Sequence, residues 1–590
     1  MENQFNFDPY IQDLLKNLFG EVEEGILKEI FDTGTIQSIE TGDYLFKQGE
    51  AQNELFIVLS GRLRAIQEKD GNAVILGDIA EGEPVGEIAL FTNEPRMASV
   101  IAVRKSAVLQ MNQSQYRTIV SKSPDFAAAL TRFVINRLRR NVLQQHVEAA
   151  PKNIALIHLQ PEQDISDFIN SVKDQLEKDF LATKIHRKED TETSSLFETL
   201  EAHKGTNLMY CSGQDQEWTK HCLLYADLVL VISDFGSSKE LHAVEKDHGL
   251  YEGHILNKKT FLLLLHPEET ERPYGTQDWL KERPVNLHLH IRKNHEKDIR
   301  RLSRMLTNKA VGLVLGGGGT KGYAHVGAVK ALLKSGLEVD FVGGTSAGAI
   351  YGIAMTFSDF DFDNIDQICK QSAAREEGVN DFFLNIFSNK AKSGAEDFIQ
   401  KLFGEADLED LWINSYCVST NISNSEVRVH NKGKIWEQVQ ASFALPGIFP
   451  PVIIEDQVYV DGGVSDNLPV DPMYRYPIKH IIAISLNGSD PEDLGSENFS
   501  KKWDKLKDAF GKNKKYDNPA LTSVLVNSMT LNSRQKEEIT KSKVSLYFEL
   551  NLRAVSLLDD SKWEKVVKKG YEQTRDFLSD LPDKERFWKS

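Results

Sequence analysis

The stretch from residue 311 to residue 348 constrains the fold of this chain more than any other. It reads VGLVLGGGGTKGYAHVGAVKALLKSGLEVDFVGGTSAG, which is an apolar strand, a turn of four glycines, a helix, a second apolar strand and a second glycine turn. Two strands joined through a helix form a βαβ unit of a parallel sheet. Because the carboxyl ends of neighbouring parallel strands lie at one edge of the sheet, both glycine turns are predicted to contribute to one ligand site there.

The first glycine turn fits two kinds of anion site. Backbone N–H groups at a glycine turn before a helix bind a pyrophosphate, and they equally stabilise the oxyanion of acyl transfer. A dinucleotide site needs an acidic residue after the next strand, whereas Asp340 precedes that strand. A P-loop needs Ser or Thr after its lysine, whereas Gly322 follows Lys321. These departures weaken both nucleotide interpretations of the turn.

The second glycine turn carries a candidate nucleophile. The sequence GTSAG matches Gly-x-Ser-x-Gly, a strand-turn-helix elbow in which Gly344 and Gly348 allow a sharp turn that exposes Ser346. The strand DFVGG precedes the serine and the helix AIYGIAM follows it, as such an elbow requires. We therefore predict a serine nucleophile with an oxyanion hole in the first turn. The predicted oxyanion hole consists of the backbone N–H groups of Gly317, Gly318 and Gly319.

A serine hydroxyl becomes nucleophilic only with a general base within hydrogen-bonding reach. Asp461 has the most distinctive setting among the acidic residues after Ser346, because the strand VYV delivers it to a Gly-Gly turn in VYVDGGVSDNLPV. His480 opens an apolar strand and His325 lies on the helix after the first glycine turn, so both are predicted to be packing residues. The simplest prediction is a Ser–Asp dyad with Asp461 as the base and no metal.

Three short motifs together resemble those of patatin-like phospholipases. They are GGGTKG from Gly317, GTSAG from Gly344 and DGG from Asp461, and the segment ASFALPGIFPPV from Ala441 is also similar to that family. The family commonly has Arg at the position of Lys321, whose own role stays open. The resemblance implies an α/β sandwich with a mainly parallel sheet. It also implies hydrolysis of lysophospholipids or phospholipids through an acyl-enzyme, without a cofactor for catalysis.

The N-terminal part, from about Ile36 to Gln110, consists of short alternating strands separated by Gly and Asp turns, which predicts an all-β domain. Within it, PVGEIALFTNEPRMASV resembles the phosphate-binding cassette of cyclic-nucleotide-binding domains, which are β-rolls followed by helices. That resemblance implies cyclic AMP or cyclic GMP as a regulatory ligand, with Arg96 at the phosphate and Glu87 at the ribose. The implied nucleotide-binding residues are Gly86, Glu87, Arg96 and Ser99. A β-roll retained only as a docking module is the alternative.

The order of these parts resembles that of the neuropathy target esterase family and its shorter bacterial relatives. Between the β-roll and the patatin-like part, the strands NIALIHL, ADLVLVIS and KTFLLLLH alternate with amphipathic segments and predict a middle α/β domain. His203, Cys211 and His221 in this region match no common metal-site spacing. The predicted domains are a cyclic-nucleotide-binding-like domain at 20–148, a middle α/β domain at 152–300, a patatin-like domain at 311–486 and a mostly helical extension at 487–590.

Composition argues against several other classes of function. The net charge of -17 disfavours a nucleic-acid partner. Four widely spaced cysteines indicate a reducing cytoplasm rather than a disulfide scaffold. The start of the chain lacks the pattern of a secretory signal, and the most apolar run, TFLLLLH, is too short to span a bilayer. We expect a cytoplasmic protein, with peripheral association with a membrane as an open alternative.

Two stretches are candidates for contact with a lipid surface. DFFLNIF, from Asp381, is an apolar cluster just past the helix that follows the nucleophile. The stretch KKWDKLKDAFGKNKK places Trp503, Leu506 and Phe510 on one helical face among many lysines, as interfacial helices do. Core packing is the alternative for the first stretch, and a solvated helix that packs one face is the alternative for the second.

The principal alternative for the whole chain is a non-catalytic cyclic-nucleotide-binding scaffold whose hydrolase domain has degenerated. The presence of Ser346, Asp461 and the complete glycine turn argues against that alternative. An oxidoreductase interpretation depends on the Gly-x-Gly-x-x-Gly pattern alone and is the weakest of the three.

Overall fold

The computed structural model divides the chain into two compact units. The described residues are 7, 9–20, 22–69, 72–142, 150–179, 182–252, 256–373, 398–446, 449–486, 535–552, 555 and 562–588. The two candidate lipid-contacting stretches, 381–387 and 501–515, lie outside these residues and stay predictions. None of the helices within the described ranges is long and apolar enough to cross a membrane. The first unit comprises Met1–Glu271, Asp278–Lys309 and Tyr474–Pro477, and the second comprises Arg272–Gln277, Ala310–Met473 and Ile478–Ser590.

The first unit begins with an antiparallel β-roll accompanied by helices. The strands are β1 (Thr35–Ile39), β2 (Tyr44–Phe46), β3 (Leu55–Lys69), β4 (Asn72–Ile79), β5 (Pro84–Val85) and β6 (Ser99–Met111). The helices are α1 (Pro9–Phe19), α2 (Glu24–Thr33), α3 (Glu87–Thr92), α4 (Gln113–Lys122) and α5 (Pro124–Val142). The sheet order is β1-β6-β3-β4, with β2 paired to β6 and β5 to β3. The predicted all-β roll with C-terminal helices is confirmed.

A parallel sheet follows in the same unit. Its strands are β7 (Asn153–His158), β8 (Thr183–His186), β9 (Thr206–Cys211), β10 (Leu228–Asp234), β11 (Lys259–His266) and β12 (Leu287–Arg292). The helices are α6 (Ser166–Lys178), α7 (Leu196–Ala202), α8 (Gln216–Tyr225), α9 (Ala243–Asp247), α10 (Thr276–Leu280, whose first two residues are assigned to the second unit) and α11 (Glu296–Leu306). The strands are ordered β12-β11-β10-β7-β9-β8, and every pair is parallel. This confirms the predicted middle α/β part, whose strands are apolar runs because both faces of the sheet are covered.

A buried cluster of charged residues joins the β-roll to this parallel sheet. The Arg104 side chain on β6 is 2% exposed and donates hydrogen bonds of 2.9 Å to Asp227 and 2.7 Å to Glu201. Arg62 lies 3.3 Å from the same Asp227 carboxylate. Although burial raises it, the pKa of Asp227 lies well below its usual range, because two guanidinium groups stabilise the ionised form. Removing one partner would leave a buried charge unpaired, so the two parts depend on each other for stability.

The second unit is built on a mixed sheet that is mainly parallel at its centre. Its strands are β13 (Ala310–Leu315), β14 (Phe341–Thr345), β15 (Ser415–Asn421), β16 (Glu426–His430), β17 (Val452–Ile454), β18 (Gln457–Asp461), β19 (Ile478–Ser485) and β20 (Leu546–Glu549). The order is β17-β18-β15-β14-β13-β19-β20, with β16 on β15. The neighbouring strands β15, β14, β13, β19 and β20 pair in parallel in that order. The pairs β15–β16, β15–β18 and β17–β18 are antiparallel. The predicted α/β sandwich with a mainly parallel sheet is confirmed.

The helices of the second unit cover this sheet and connect its strands. They are α12 (Tyr323–Lys334), α13 (Ala347–Phe357), α14 (Phe362–Ala373), α15 (Ile435–Phe443) and α16 (Trp563–Asp580). The sheet continues beyond residue 486, because β20 pairs in parallel with β19. The extension predicted to be mostly helical therefore contributes one strand as well as α16 to this unit. The predicted domain limits themselves stay predictions.

Helices α12 and α16 cross in backbone contact through two glycines. A Cβ atom at Gly327 of α12 would lie 1.9 Å from the carbonyl oxygen of Val567, and one at Gly570 of α16 would lie 2.1 Å from that of Ala324. Both distances are shorter than 3.0 Å, which is closer than Cβ atoms approach other heavy atoms in proteins. The crossing therefore requires glycine on both helices, and it fixes the helix that follows the first glycine turn.

Gly570→Ala should destabilise the second unit, because the added methyl group would overlap the backbone of α12. Overpacking of this kind costs about 1–3 kcal/mol of unfolding free energy. Urea unfolding followed by circular dichroism measures the effect. Gly25→Ala in α2 is the control, since its new Cβ would have no atom within 4 Å. An unfolding midpoint for Gly570→Ala equal to that of the wild type would contradict the close crossing.

Candidate active site

Ser346 occupies a sharp backbone turn between β14 and α13. Its φ of 54° and ψ of -120° are rarely adopted by residues with a side chain. Two glycines make room for the turn. A Cβ at Gly344 would lie 2.5 Å from the carbonyl carbon of Gly348, and one at Gly348 would lie 2.1 Å from the carbonyl oxygen of Leu315. The serine is thereby placed at the carboxyl end of a central parallel strand.

The first glycine turn lies directly against Ser346. The strand β13 ends at Leu315, and a Cβ at Gly317 would lie 3.1 Å from the Cβ of Ser346. Gly319 has a φ of +57°, in the left-handed region that glycine adopts without strain. Lys321 lies in the short 3-10 turn that follows, Gly319–Gly322. The structure therefore brings the two glycine turns together at the ends of two paired parallel strands.

The three glycines predicted for the oxyanion hole differ in how their amide groups are used. The N–H of Gly317 donates a 3.1 Å hydrogen bond to the backbone carbonyl of Asn467. Within the part of the chain that the structure describes, the N–H groups of Gly318 and Gly319 donate no hydrogen bond. A developing oxyanion at this turn would therefore find two unengaged donors, at Gly318 and Gly319.

Asp461 ends β18 and is buried beside the serine. Its backbone N–H donates to the carbonyl of Ala444 at 2.9 Å, and its carboxylate accepts a 2.7 Å hydrogen bond from the N–H of Gly463. Burial raises the pKa of Asp461 to about 6, against the opposing effects of the Gly463 N–H and of the nearby Ser346 side chain. The carboxylate is therefore ionised at neutral pH, yet basic enough to accept a proton.

Ser442 on α15 contacts the nucleophile and has no role predicted from the sequence. Its hydroxyl oxygen accepts a 3.0 Å hydrogen bond from the backbone N–H of Ser346 and donates a 2.7 Å bond to the carbonyl of Val418. The strained turn is thereby held to the neighbouring strand β15. The signal available in the sequence was its position in ASFALPGIFPPV, which resembles the patatin-like family as a segment but identifies no individual residue.

Asn467 is a second contributor that sequence reasoning missed. Its carbonyl accepts the N–H of Gly317, and its side-chain amide donates to the carbonyl of the same glycine at 3.3 Å. Asn467 also lies against the Gly-Gly turn after Asp461, since a Cβ at Gly463 would lie 2.9 Å from its side-chain oxygen. One asparagine therefore connects the turn that carries the oxyanion donors to the turn that carries the base.

Neither histidine considered as a triad member hydrogen-bonds Ser346 or Asp461 within the described residues. His325 is buried, and its Nε2 contacts the carbonyl oxygen of Gly316 at 2.8 Å. The ring of His480 stacks on Phe587 with centroids 3.9 Å apart. Burial lowers the pKa of each imidazole to about 4, so both are neutral near pH 7.

In the β-roll, Arg96 is buried against protein groups. Its guanidinium donates hydrogen bonds of 3.0 Å to the carbonyl of Gly86 and 2.9 Å to that of Glu54. It lies 4.1 Å from the ring centroid of Phe46. A Cβ at Gly86, whose φ is +88°, would lie 2.4 Å from Arg96. Arg96, the residue predicted to hold the phosphate, therefore already donates hydrogen bonds to backbone oxygens.

Glu87 and Ser99 of the β-roll also have protein partners. The Glu87 carboxylate accepts a 2.7 Å hydrogen bond from Arg137 on α5, in an ion pair whose acidic partner is 3% exposed. The Ser99 hydroxyl oxygen accepts a 2.9 Å bond from the backbone N–H of Gln48. The four residues predicted for the nucleotide site thus lie close together in the β-roll. Arg137 contacts this group as well, and the sequence did not single it out.

The middle α/β part does not bring together His203, Cys211 and His221. Cys211 is buried in β9, whereas His203 contacts the carbonyl of Ala182 and His221 that of Glu217. No group of three or more His, Cys, Asp or Glu side chains able to hold a metal ion occurs among the described residues.

Comparison with known protein families adds to this geometry. Residues 313–474 match the Patatin family, described as patatin-like phospholipase. Residues 36–123 match the cyclic nucleotide-binding domain, and residues 166–313 match the Neuropathy Target Esterase family P-loop like domain. Together these matches cover residues 36–123 and 166–474. The resemblance to patatin-like phospholipases of the neuropathy target esterase type, with an N-terminal cyclic-nucleotide-binding domain, is confirmed.

Several longer proteins resemble this chain over most of its length. Neuropathy target esterase sws of Drosophila melanogaster is 28% identical, with 77% of this chain and 36% of that protein covered. Lysophospholipase NTE1 of Candida albicans is 26% identical, covering 93% and 46%. Lysophospholipase nte1 of Aspergillus fumigatus is 26% identical, covering 92% and 42%. The chain therefore spans less than half the length of these relatives.

Proposed function

We propose that this chain is a serine hydrolase that cleaves acyl esters of lysophospholipids or phospholipids. The observation that carries the proposal is that Thr345, which precedes the nucleophile, and the buried Asp461 pair with the adjacent residues Val418 and Ser419 of β15. The glycine turn beside Ser346 adds two amides, at Gly318 and Gly319, that donate no hydrogen bond within the described residues. The patatin-like match supports an acyl-ester hydrolase, and the names of two relatives, both lysophospholipases, support the substrate class. The patatin-like match includes both members of the dyad.

The dyad would act in two half-reactions. The Asp461 carboxylate accepts the hydroxyl proton of Ser346, whose oxygen attacks the acyl carbonyl carbon of the lipid. The tetrahedral intermediate then collapses, the ester C–O bond breaks, and the leaving alkoxide receives the proton from Asp461. In the second half-reaction Asp461 deprotonates a water molecule, which attacks the acyl-enzyme, releases the fatty acid and restores Ser346.

The oxyanion of both tetrahedral intermediates would lie at the first glycine turn. Preorganised N–H donors at such a position stabilise the developing charge without having to reorient. The proposal assigns this role to Gly318 and Gly319. Gly317 instead positions the turn, because its N–H and carbonyl are both bonded to Asn467.

Ser346→Ala and Asp461→Asn should each abolish turnover, because the first removes the nucleophile and the second removes the base. The expected loss is at least about 10³-fold in kcat for release of fatty acid from lysophosphatidylcholine. His480→Ala is the matched control and should retain most of the activity, since its imidazole stacks on Phe587 and contacts Ser545. Substantial hydrolysis by purified Ser346→Ala would refute the proposed nucleophile.

The reactivity of Ser346 should increase as pH rises through about 6 and then level off, because only the ionised Asp461 can accept the proton and its raised pKa is about 6. The measurement is the rate constant for labelling of Ser346 by a fluorophosphonate across about pH 5 to 8. A rate that is independent of pH over this window would argue against Asp461 as the base. The alternative of a non-catalytic scaffold predicts no labelling at any pH.

We also propose that the β-roll binds a cyclic nucleotide only by exchanging protein contacts for ligand contacts. The carboxylate assigned to the ribose is paired with Arg137, and the guanidinium assigned to the phosphate is bonded to two backbone carbonyls. A ribose hydroxyl would therefore compete with a charge-assisted hydrogen bond, which is stronger than a neutral one. Nucleotide binding at Glu87 would thus break the ion pair that connects α5, through Arg137, to α3.

Arg137→Ala should increase the affinity for cyclic AMP or cyclic GMP by about tenfold, because the ribose no longer competes with a guanidinium for Glu87. Isothermal titration calorimetry with each nucleotide measures the change. Arg132→Ala is the matched control, since this exposed arginine lies on the same helix and should leave the affinity unchanged. A weaker affinity in Arg137→Ala would show instead that Arg137 itself contacts the ligand.

A further inference from the structure

We infer that Lys536 is a positioning residue for the Ser346–Asp461 dyad and acts through its ion pair with Asp466. The inference rests on the proposed hydrolase function. Lys536 lies outside the region matched by the Patatin family, which ends at residue 474. The inference therefore gives the C-terminal part of the chain a role in positioning the active-site residues.

The backbone of Asp466 connects two motifs of the site. Its carbonyl oxygen accepts a 3.0 Å hydrogen bond from the hydroxyl of Thr345, which immediately precedes the nucleophile. Its N–H donates a 2.7 Å bond to the carbonyl of Gly462, which immediately follows the base. Because Asn467 holds Gly317 next to it, two consecutive residues secure the nucleophile, the base and the turn with the oxyanion donors.

The side chain of Asp466 needs a cation at this place. It is 6% exposed, and Lys536 pairs with its carboxylate. Burial and the nearby Asp471 raise the pKa of Asp466, while the Lys536 ammonium lowers it. Without Lys536 the carboxylate would become protonated or would turn toward water. Either change would shift the backbone at Asp466, whose carbonyl and N–H form the hydrogen bonds to Thr345 and Gly462.

Lys536 is itself held by ordered structure. It lies in the helical residues 535–541, which lead into β20 and its parallel pairing with β19. Lys543, two residues after this helical stretch, forms a 2.6 Å ion pair with Asp471. The buried Glu537, adjacent to Lys536, accepts a 3.1 Å hydrogen bond from Tyr547 of β20. These contacts hold the part of the backbone from which the Lys536 side chain reaches Asp466.

The test uses the full chain with Lys536 replaced in two ways. Lys536→Met removes the charge and keeps an unbranched side chain, and Lys536→Arg retains the charge. Lys541→Met is the matched control, because Lys541 lies in the same helical residues but pairs with Glu538 and Glu549. For each variant we would measure the rate constant of fluorophosphonate labelling at Ser346, kcat and KM for lysophosphatidylcholine, and the thermal unfolding midpoint.

Lys536→Met should lower the labelling rate constant and kcat by about tenfold with little change in KM, because the reacting groups are misaligned while the lipid site is intact. Lys536→Arg should restore most of both rates, and Lys541→Met should match the wild type. A wild-type labelling rate in Lys536→Met, or an equal loss in Lys541→Met, would overturn the inference.

The double variant Asp466→Asn with Lys536→Met covers the case in which Lys536→Met alone does not fold, since it leaves no unpaired buried charge. Because it also lacks the ion pair that holds residue 466, it should fold and label about tenfold more slowly than the wild type, and a wild-type rate would overturn the inference. A wild-type chain that is labelled but does not hydrolyse the lipid would contradict the proposed substrate alone. The labelling rates of the variants would then still decide the role of Lys536.

Discussion

The sheet edge that carries Ser346 and Asp461 depends on backbone atoms that approach one another more closely than side chains would permit. Gly348 lies against the carbonyl of Leu315, and a Cβ at Gly462 would lie 2.4 Å from the carbonyl oxygen of Val418. These contacts bring three chain turns into one small volume, where backbone hydrogen bonds can join them. The reacting side chains are then placed by the main chain, which has fewer degrees of freedom than long side chains have.

The sequence predicted the parts of this arrangement that are local. Apolar runs, glycine turns and the strand-helix alternation depend on neighbouring residues, so the βαβ unit and the positions of Ser346 and Asp461 at strand ends could be predicted. Ser442 and Asn467 could not, because the hydrogen bonds that bring them to Ser346 and Gly317 join residues 96 and 150 positions apart. The strand β20 was missed for a related reason, since LYFE is short and is recognisable as a strand only through its pairing with β19.

The β-roll shows a different limit of sequence reasoning. A resemblance to a ligand-binding cassette identifies residue types, but it does not reveal which partners those residues have in the folded chain. Glu87 is paired with Arg137 from a helix fifty positions later, and Arg96 is bonded to carbonyls and packed on an aromatic ring. Glu87 and Arg96 thus already have protein partners, so the response to a ligand would depend on α5 as well as on the cassette.

The charge cluster around Arg104 has a consequence for how such chains can be recombined. Asp227 belongs to the α/β part, yet the two guanidinium groups that neutralise it belong to the β-roll. A β-roll taken from another protein would have to bring arginines to the same two places, or leave a carboxylate buried without a counter-ion. The two parts therefore have to be inherited, or transferred in protein engineering, as a matched pair. A junction with another protein should lie outside both parts rather than in the short connection between them.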